Sequence, residues 1–257
     1  MPNPHITPNL PLTIDDAGTG RPALVLHGGG GPATVSMIAG HLAETMRPIT
    51  PTLPGWNGAE RPDWLTGIDD LAPALVQYLE DQDLTDVLVV GSSIGGWIGA
   101  EMAVRDTTAR ISGLVLIDAV GIDVPGQPIT DFFALDARGV AEHSFHDSAR
   151  FYLDPATLPA EQLATMQANL ATLRLIAGDP YMHDPKLRAR LAGVSVPTVA
   201  IWGDSDEIVT PDYGRAYAES FPNARFELVI DAGHLPQIEQ PAATFALIDA
   251  FAEEGRA

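Results

Sequence analysis

Five short apolar runs punctuate the chain: Ala23-Leu24-Val25-Leu26, Val87-Leu88-Val89-Val90, Leu114-Val115-Leu116-Ile117, Val199-Ala200-Ile201-Trp202 and Phe226-Glu227-Leu228-Val229-Ile230. Runs of this length, rich in Val, Ile and Leu, read as strands of a parallel sheet buried on both faces. Pro48 to Leu53 reads as a weaker strand, because two prolines interrupt it. Helical patterns fill the intervals, at Val35 to Thr45, Ile68 to Glu80, Gly95 to Arg105, Asp212 to Ser220 and Pro241 to Glu254. Strand alternating with helix predicts a doubly wound α/β sheet, whose ligands collect at the carboxyl ends of the strands.

One interval breaks this rhythm. From Gly121 to Val196 no run reads as a strand, whereas Thr130 to Phe151 and Pro159 to Ile176 look helical. About seventy-five residues is too long for a structureless loop in a compact domain. The segment 121–196 is therefore read as a helical cap inserted into one core made of 1–120 and 197–257. Phe132, Phe133, Phe145, Phe151, Tyr152 and Leu173 in it can line a pocket or form the insertion's own core.

The chemistry sits at the strand ends. Gly91-Ser92-Ser93-Ile94-Gly95 leaves one strand and opens a helix, so a G-x-S-x-G motif stands in strand–turn–helix context with Ser93 at its centre. The pentapeptide alone is only moderately specific, and its context decides. Upstream, His27-Gly28-Gly29-Gly30-Gly31 follows the first strong strand and matches the HGGG-type loop that supplies an oxyanion-hole amide in this architecture. Gly29 and Ile94 are the expected N–H donors, with Gly30 as the alternative. Preorganised donors of this kind are typically worth several kcal/mol at a carbonyl gaining negative charge.

Downstream, Gly203-Asp204-Ser205-Asp206 and Asp231-Ala232-Gly233-His234 leave the last two strands at the same sheet edge. The order Ser93, Asp206, His234 matches the Ser…Asp…His order of this architecture. In that reading His234 takes the proton of Ser93 and returns it to the leaving group, while Asp206 fixes the imidazole tautomer. Asp118, at the end of the run Leu114 to Ile117, is the next candidate acid, ahead of Asp204. His27 is read as a loop-fixing residue.

Composition narrows the partners. Among 257 residues, 14 Lys and Arg face 34 Asp and Glu, a formal net charge of −20, which disfavours nucleic acid and anionic lipid. The absence of cysteine removes disulfides, a thiolate nucleophile and Cys-based metal sites. Met1-Pro2-Asn3-Pro4-His5 has no basic leader region, and no stretch reaches roughly 18 apolar residues. A soluble cytoplasmic protein without membrane association is expected. The mechanism requires no metal or organic cofactor, and nothing in the sequence separates a monomer from a homodimer.

These motifs, with Pro54-Gly55, Ile208-Val209, Pro211, Glu239 and Pro241, make the chain similar to the α/β-hydrolases, within the cap-bearing serine hydrolases that include esterases and hydrolases of meta-cleavage products. The resemblance covers about Leu10 to Phe251 except the cap. It implies a mostly parallel eight-stranded sheet with helices on both faces, an early antiparallel strand near Leu12 to Asp15, and a helical cap over the pocket. It also implies hydrolysis of a small-molecule ester or ketone. A carboxylic ester is the expected substrate; the alternatives are carbon–carbon cleavage of a diketone acid and a receptor-like binding protein that retains the triad.

A diketone acid would call for a cation in the pocket, and Arg138, Arg150, Arg174, Arg188 and Arg190 are the candidates. Trp56 and Trp97 are named as candidate substrate contacts, Trp56 the better of the two, while packing under the turn is the favoured reading of Trp97, four residues past Ser93.

Overall fold

The computed structural model describes residues 10–254 of the chain. The Met1 to His5 segment read above lies outside them. Seven strands form one sheet: β1 (Thr13–Asp16), β2 (Pro22–Leu26), β3 (Arg47–Thr52), β4 (Val87–Ser92), β5 (Ile111–Ile117), β6 (Thr198–Gly203) and β7 (Ala224–Val229), in the order β1-β3-β2-β4-β5-β6-β7. Only β1 runs antiparallel to its neighbour. The early antiparallel strand thus falls where it was expected. The strand count is corrected from eight to seven among the described residues. Before Thr13 those residues comprise only Leu10, Pro11 and Leu12, and the proline has no N–H to give to a ladder.

The helices are α1 (Ser36–Leu42), α2 (Ile68–Asp81), α3 (Ile94–Arg105), α4 (Ala137–Ser144), α5 (Ser148–Phe151), α6 (Ala160–Ile176), α7 (Leu187–Leu191), α8 (Pro211–Ala218), α9 (Pro236–Glu239) and α10 (Pro241–Glu254). Strand periodicity sorts the core into two layers. Ala23 and Val25 of β2, Val115 and Ile117 of β5, and Val199 and Ile201 of β6 pack with Ile38 and Leu42 of α1 and Ile248 of α10. Their neighbours Leu24, Leu26, Leu114, Leu116, Ala200 and Trp202 pack on the other face with α2, α3 and α8. Each fully buried side chain of this kind is worth about 1.5–3 kcal/mol. Helix α3 is buried almost all round, as expected of a helix apolar on every side.

Between β5 and β6 the described chain forms helices and no strand. The single helical stretch expected over Thr130 to Phe151 is broken into a 3-10 turn (Phe132–Ala134), α4 and α5. Three aspartates cause the breaks by capping new starts: Asp131 accepts from the Phe133 amide, Asp136 from Gly139 and Asp147 from Arg150. Helix α6 runs uninterrupted for 17 residues. Its Leu173 and Ile176, with Leu187 and Leu191 of α7, join the same buried cluster as Trp97 and Ile98 of α3. Glu101 of α3, only 1% exposed, is ion-paired to Arg105 and, at 2.7 Å, to Arg190 of α7. The helical segment therefore shares a core and a buried charge network with the sheet layer.

Candidate active site

Ser93 occupies the turn between β4 and α3 with φ 56° and ψ −118°, a conformation costly for a side chain with Cβ. The turn is possible because its glycines lack Cβ. A Cβ on Gly91 would stand 2.3 Å from the Gly95 carbonyl oxygen, and one on Gly95 would stand 2.2 Å from that of Leu26. The preceding Ser92 is buried and receives the Gln237 amide at 3.2 Å, leaving Ser93 as the hydroxyl presented at the sheet edge.

His234, in the loop after β7, joins two residues from distant parts of the chain. Its Nε2 lies 2.9 Å from Ser93 Oγ, and its Nδ1 lies 2.8 Å from Asp206 Oδ2. The other oxygen of Asp206 accepts the backbone N–H groups of Ile208, at 2.8 Å, and Val209, at 3.1 Å. These donors hold the carboxylate rigid, so the histidine bearing its proton on Nδ1 presents the Nε2 lone pair to the hydroxyl. The His234 amide donates to the Ser144 carbonyl at 2.7 Å, which seats the loop against the end of α4. Asp206 and His234 are both buried. The arrangement can deprotonate a serine as it attacks and can neutralise the imidazolium that forms.

Neither of the two other candidate acids is hydrogen-bonded to His234. Asp204 Oδ1 takes the Ser205 hydroxyl at 2.9 Å and the Ala232 amide at 3.3 Å. Asp118 accepts the Gly203 amide at 3.0 Å and stands beside Asp206, where burial and the neighbouring carboxylate push its pKa well above the ordinary range.

Opposite the serine runs the glycine loop. Packing of Gly28 is tight against Ser93: a Cβ there would lie 3.3 Å from that of the serine. The amides of Gly29, Gly30 and Ile94 donate no hydrogen bond among the described residues, so all three expected donors are free to meet an oxyanion. His27 fixes the loop from behind, as read from the sequence. Its Nδ1 donates to the Gly28 carbonyl at 2.7 Å and its Nε2 accepts the Leu53 amide at 3.1 Å. Burial drives its pKa down to about 4 and keeps it neutral.

Both tryptophans are packed into the interior. Trp56 is fully buried, and its indole N–H donates to the Gly29 carbonyl at 2.8 Å, so it braces the glycine loop and presents no free edge. Trp97 is 5% exposed and packs on Gly121, whose added Cβ would sit 2.5 Å from the indole ring.

Residues of α6 meet the site as well, and two of them, Asn169 and Thr172, carry no sequence signal. Asn169 accepts the Asn57 amide at 2.8 Å and donates to the Asn57 side chain at 2.9 Å, while Thr172 donates to the Gly55 carbonyl at 2.9 Å. Leu173 covers Gly29, whose Cβ would come within 2.6 Å of a leucine methyl. The spacing i, i+3, i+4 puts the three on one helix face. Glu239 ties the loop after α4 to the histidine loop, accepting from the amides of His146, Asp147 and Gly233. Four of the five arginines considered are engaged by other side chains. Arg138, Arg150 and Arg174 are exposed and lie over the rings of Tyr152, Phe151 and Phe133, and Arg190 is held by Glu101 and Asp184.

Two sets of acidic or imidazole groups approach within 4.8 Å in the manner of cation ligands. In Asp118, Asp206 and His234 the ring nitrogen facing Asp206 carries a proton, so the set is a hydrogen-bonded array. In Asp69, Glu101 and Asp184, Arg105 and Arg190 already supply the positive charge. No described helix is long and apolar enough to cross a membrane.

Comparison with known proteins agrees with this fold. A family model described as the alpha/beta hydrolase family matches residues 23–247. The pimeloyl-[acyl-carrier protein] methyl ester esterase of Aromatoleum aromaticum is 30% identical over 89% of this chain and 97% of its own. The 2-hydroxymuconate semialdehyde hydrolase of Pseudomonas sp. strain CF600 is 26% identical over 98% and 94%. Among solved structures, the meta-cleavage product hydrolase from Pseudomonas fluorescens IP01 superimposes with a TM-score of 0.79 at 18% identity, covering 95% of this chain and 94% of that one.

Proposed function

We propose that this chain, which belongs to the alpha/beta hydrolase family, hydrolyses a small carboxylic ester through an acyl-enzyme on Ser93. The observation that carries this reading is the contact of His234 with Ser93 at 2.9 Å and with Asp206 at 2.8 Å. His234 removes the serine proton during attack; the amides of Gly29 and Ile94 receive the developing oxyanion, with Gly30 beside them. The protonated imidazole then delivers its proton to the leaving alcohol, and water repeats the sequence to release the acid. Helices of the 121–196 segment act as a cap: Asn169, Thr172 and Leu173 close the glycine-loop side, and Leu173 bounds the acyl pocket.

Ester hydrolysis is the first reading because Arg138, Arg150 and Arg174 are exposed over aromatic rings and Arg190 is held by Glu101 and Asp184, so these four cations already have partners other than a substrate carboxylate. Carbon–carbon hydrolysis is the second reading, supported by the similarity to 2-hydroxymuconate semialdehyde hydrolase over nearly the whole chain. The substrate is a small molecule in both, and neither requires a cofactor, nucleic acid or membrane.

Labelling with a fluorophosphonate tests the nucleophile. Wild type is expected to label and Ser93→Ala not to; equal labelling of the two overturns the mechanism, and an unlabelled wild type favours a receptor-like binding protein. Rates on a short p-nitrophenyl ester and on a vinylogous diketone acid then separate the two reactions. Diketone cleavage outpacing ester turnover would replace the first reading by the second.

A further inference from the structure

Asp118 is fully buried at the end of β5, outside the direct line from Asp206 through His234 to Ser93. One of its oxygens accepts the Gly203 amide at 3.0 Å, and the other, Oδ2, is buried with no donor aimed at it. A carboxylate oxygen of Asp118, one of Asp206 and a ring nitrogen of His234 all lie within 4.8 Å of one another. Two carboxylates in this position cannot both stay ionised, because burial strips the solvent that would screen them. Hydrogen-bond partners decide which one keeps the proton. Asp206 accepts three donors, from Ile208, Val209 and His234, each of which favours its anion. Asp118 has one.

We propose that Asp118 holds a proton on Oδ2 and donates it to Asp206, so that a single shared negative charge faces His234. This rests on the roles proposed above for Asp206 and His234. Asp118 is thereby a positioning residue. It moderates the basicity of Asp206 and spares the imidazole a second full anion. The charged or titratable groups around it are Asp206 from the loop after β6, His234 from the loop after β7, and Glu239 of α9, which adds a further negative field. Burial, then Asp206, push the Asp118 carboxyl up in the same direction that the donor count requires.

Two measurements test this. Infrared difference spectroscopy of the whole protein at neutral pH, wild type against Asp118→Asn, should show the C=O stretch of a protonated carboxyl that shifts in D2O. Its absence means that Asp118 is ionised and overturns the proposal. This readout needs no turnover, so it stands whether or not Ser93 proves to be the nucleophile. The second is the acidic limb of kcat/KM on p-nitrophenyl acetate, which reports the free enzyme's general base. Asparagine reproduces the neutral acid, accepting from Gly203 and donating to Asp206, so Asp118→Asn should leave the limb in place. An ionised Asp118 would instead make that variant's limb move to lower pH. Asp118→Leu removes the donor and should raise the limb by about one unit and lower kcat/KM on the order of tenfold. If Asp118→Leu does not fold, the asparagine variant and the infrared band decide alone.

Discussion

Leu173 of α6 lies directly over Gly29, close enough that a methyl group on the glycine would stand 2.6 Å from its side chain. A helix separated from the glycine loop by more than a hundred positions thus forms the wall nearest the proposed oxyanion donor. Because Leu173 is 5% exposed, truncating it opens space beside the reacting carbonyl. Leu173→Ala should raise kcat/KM for longer or branched p-nitrophenyl acyl esters relative to the acetate. The same variant should lose about 2–5 kcal/mol of stability for the cavity. An unchanged chain-length profile in a folded variant would remove Leu173 from the acyl pocket.

Asp206→Asn keeps the size of the side chain and reverses its demand on the imidazole. The amide group turned toward His234 favours the tautomer with its proton on Nε2, which leaves no base for Ser93. A fall in kcat on the order of 10⁴-fold is expected, with the circular dichroism spectrum and thermal midpoint near those of wild type. A loss of less than tenfold in a steady-state assay would show that another acid serves the histidine.

His27 gives the fold an acid limit. Its folded pKa of about 4 lies below the ordinary 6.5, so the unfolded chain binds the proton more readily. The stabilisation is therefore complete above pH 6.5 and is lost as the pH falls through this window toward 4, by about 3 kcal/mol in all. Urea denaturation across that range should show this loss in wild type. It should be smaller in His27→Gln, which has no titrating ring; identical pH slopes would contradict the assignment.

Two glycines should respond oppositely to alanine. Gly95→Ala places a methyl 2.2 Å from the Leu26 carbonyl oxygen, a backbone atom, and should destabilise by about 1–3 kcal/mol or more. Gly40, inside α1, has nothing within 4 Å of an added Cβ, and Gly40→Ala should stabilise by about 0.5–1 kcal/mol. Thermal midpoints of the two variants check both signs.

The strands and the contact among Ser93, Asp206 and His234 were legible because each is announced locally. An apolar run ends, a turn of small or polar residues follows, and the parallel sheet brings those ends to one edge. The bracing contact of Trp56 was not legible, because position in a loop after a strand says nothing about which way an indole faces; the Gly29 carbonyl that it reaches lies 27 positions away. Asn169 and Thr172 were invisible for a related reason. Their partners, Asn57 and Gly55, are more than a hundred positions distant, and the residues carry no meaning until α6 is laid across that loop. The breaks in the 130–151 stretch did have a signal, in Asp131, Asp136 and Asp147, each able to restart a helix.

The contact between Ser93 and His234 spans 141 positions, with the insertion and three strands between them. As the chain is synthesised, β2, β4 and the serine turn can form long before the histidine exists. Pairings at such separation form slowly, after most of the loop-closure entropy has been overcome. A chain arrested before β7 therefore carries an exposed serine turn with no base to activate it. Under the proposed mechanism, hydrolytic activity is expected only once the last segment has docked, which would make turnover itself a gauge of finished folding in any refolding or translation experiment.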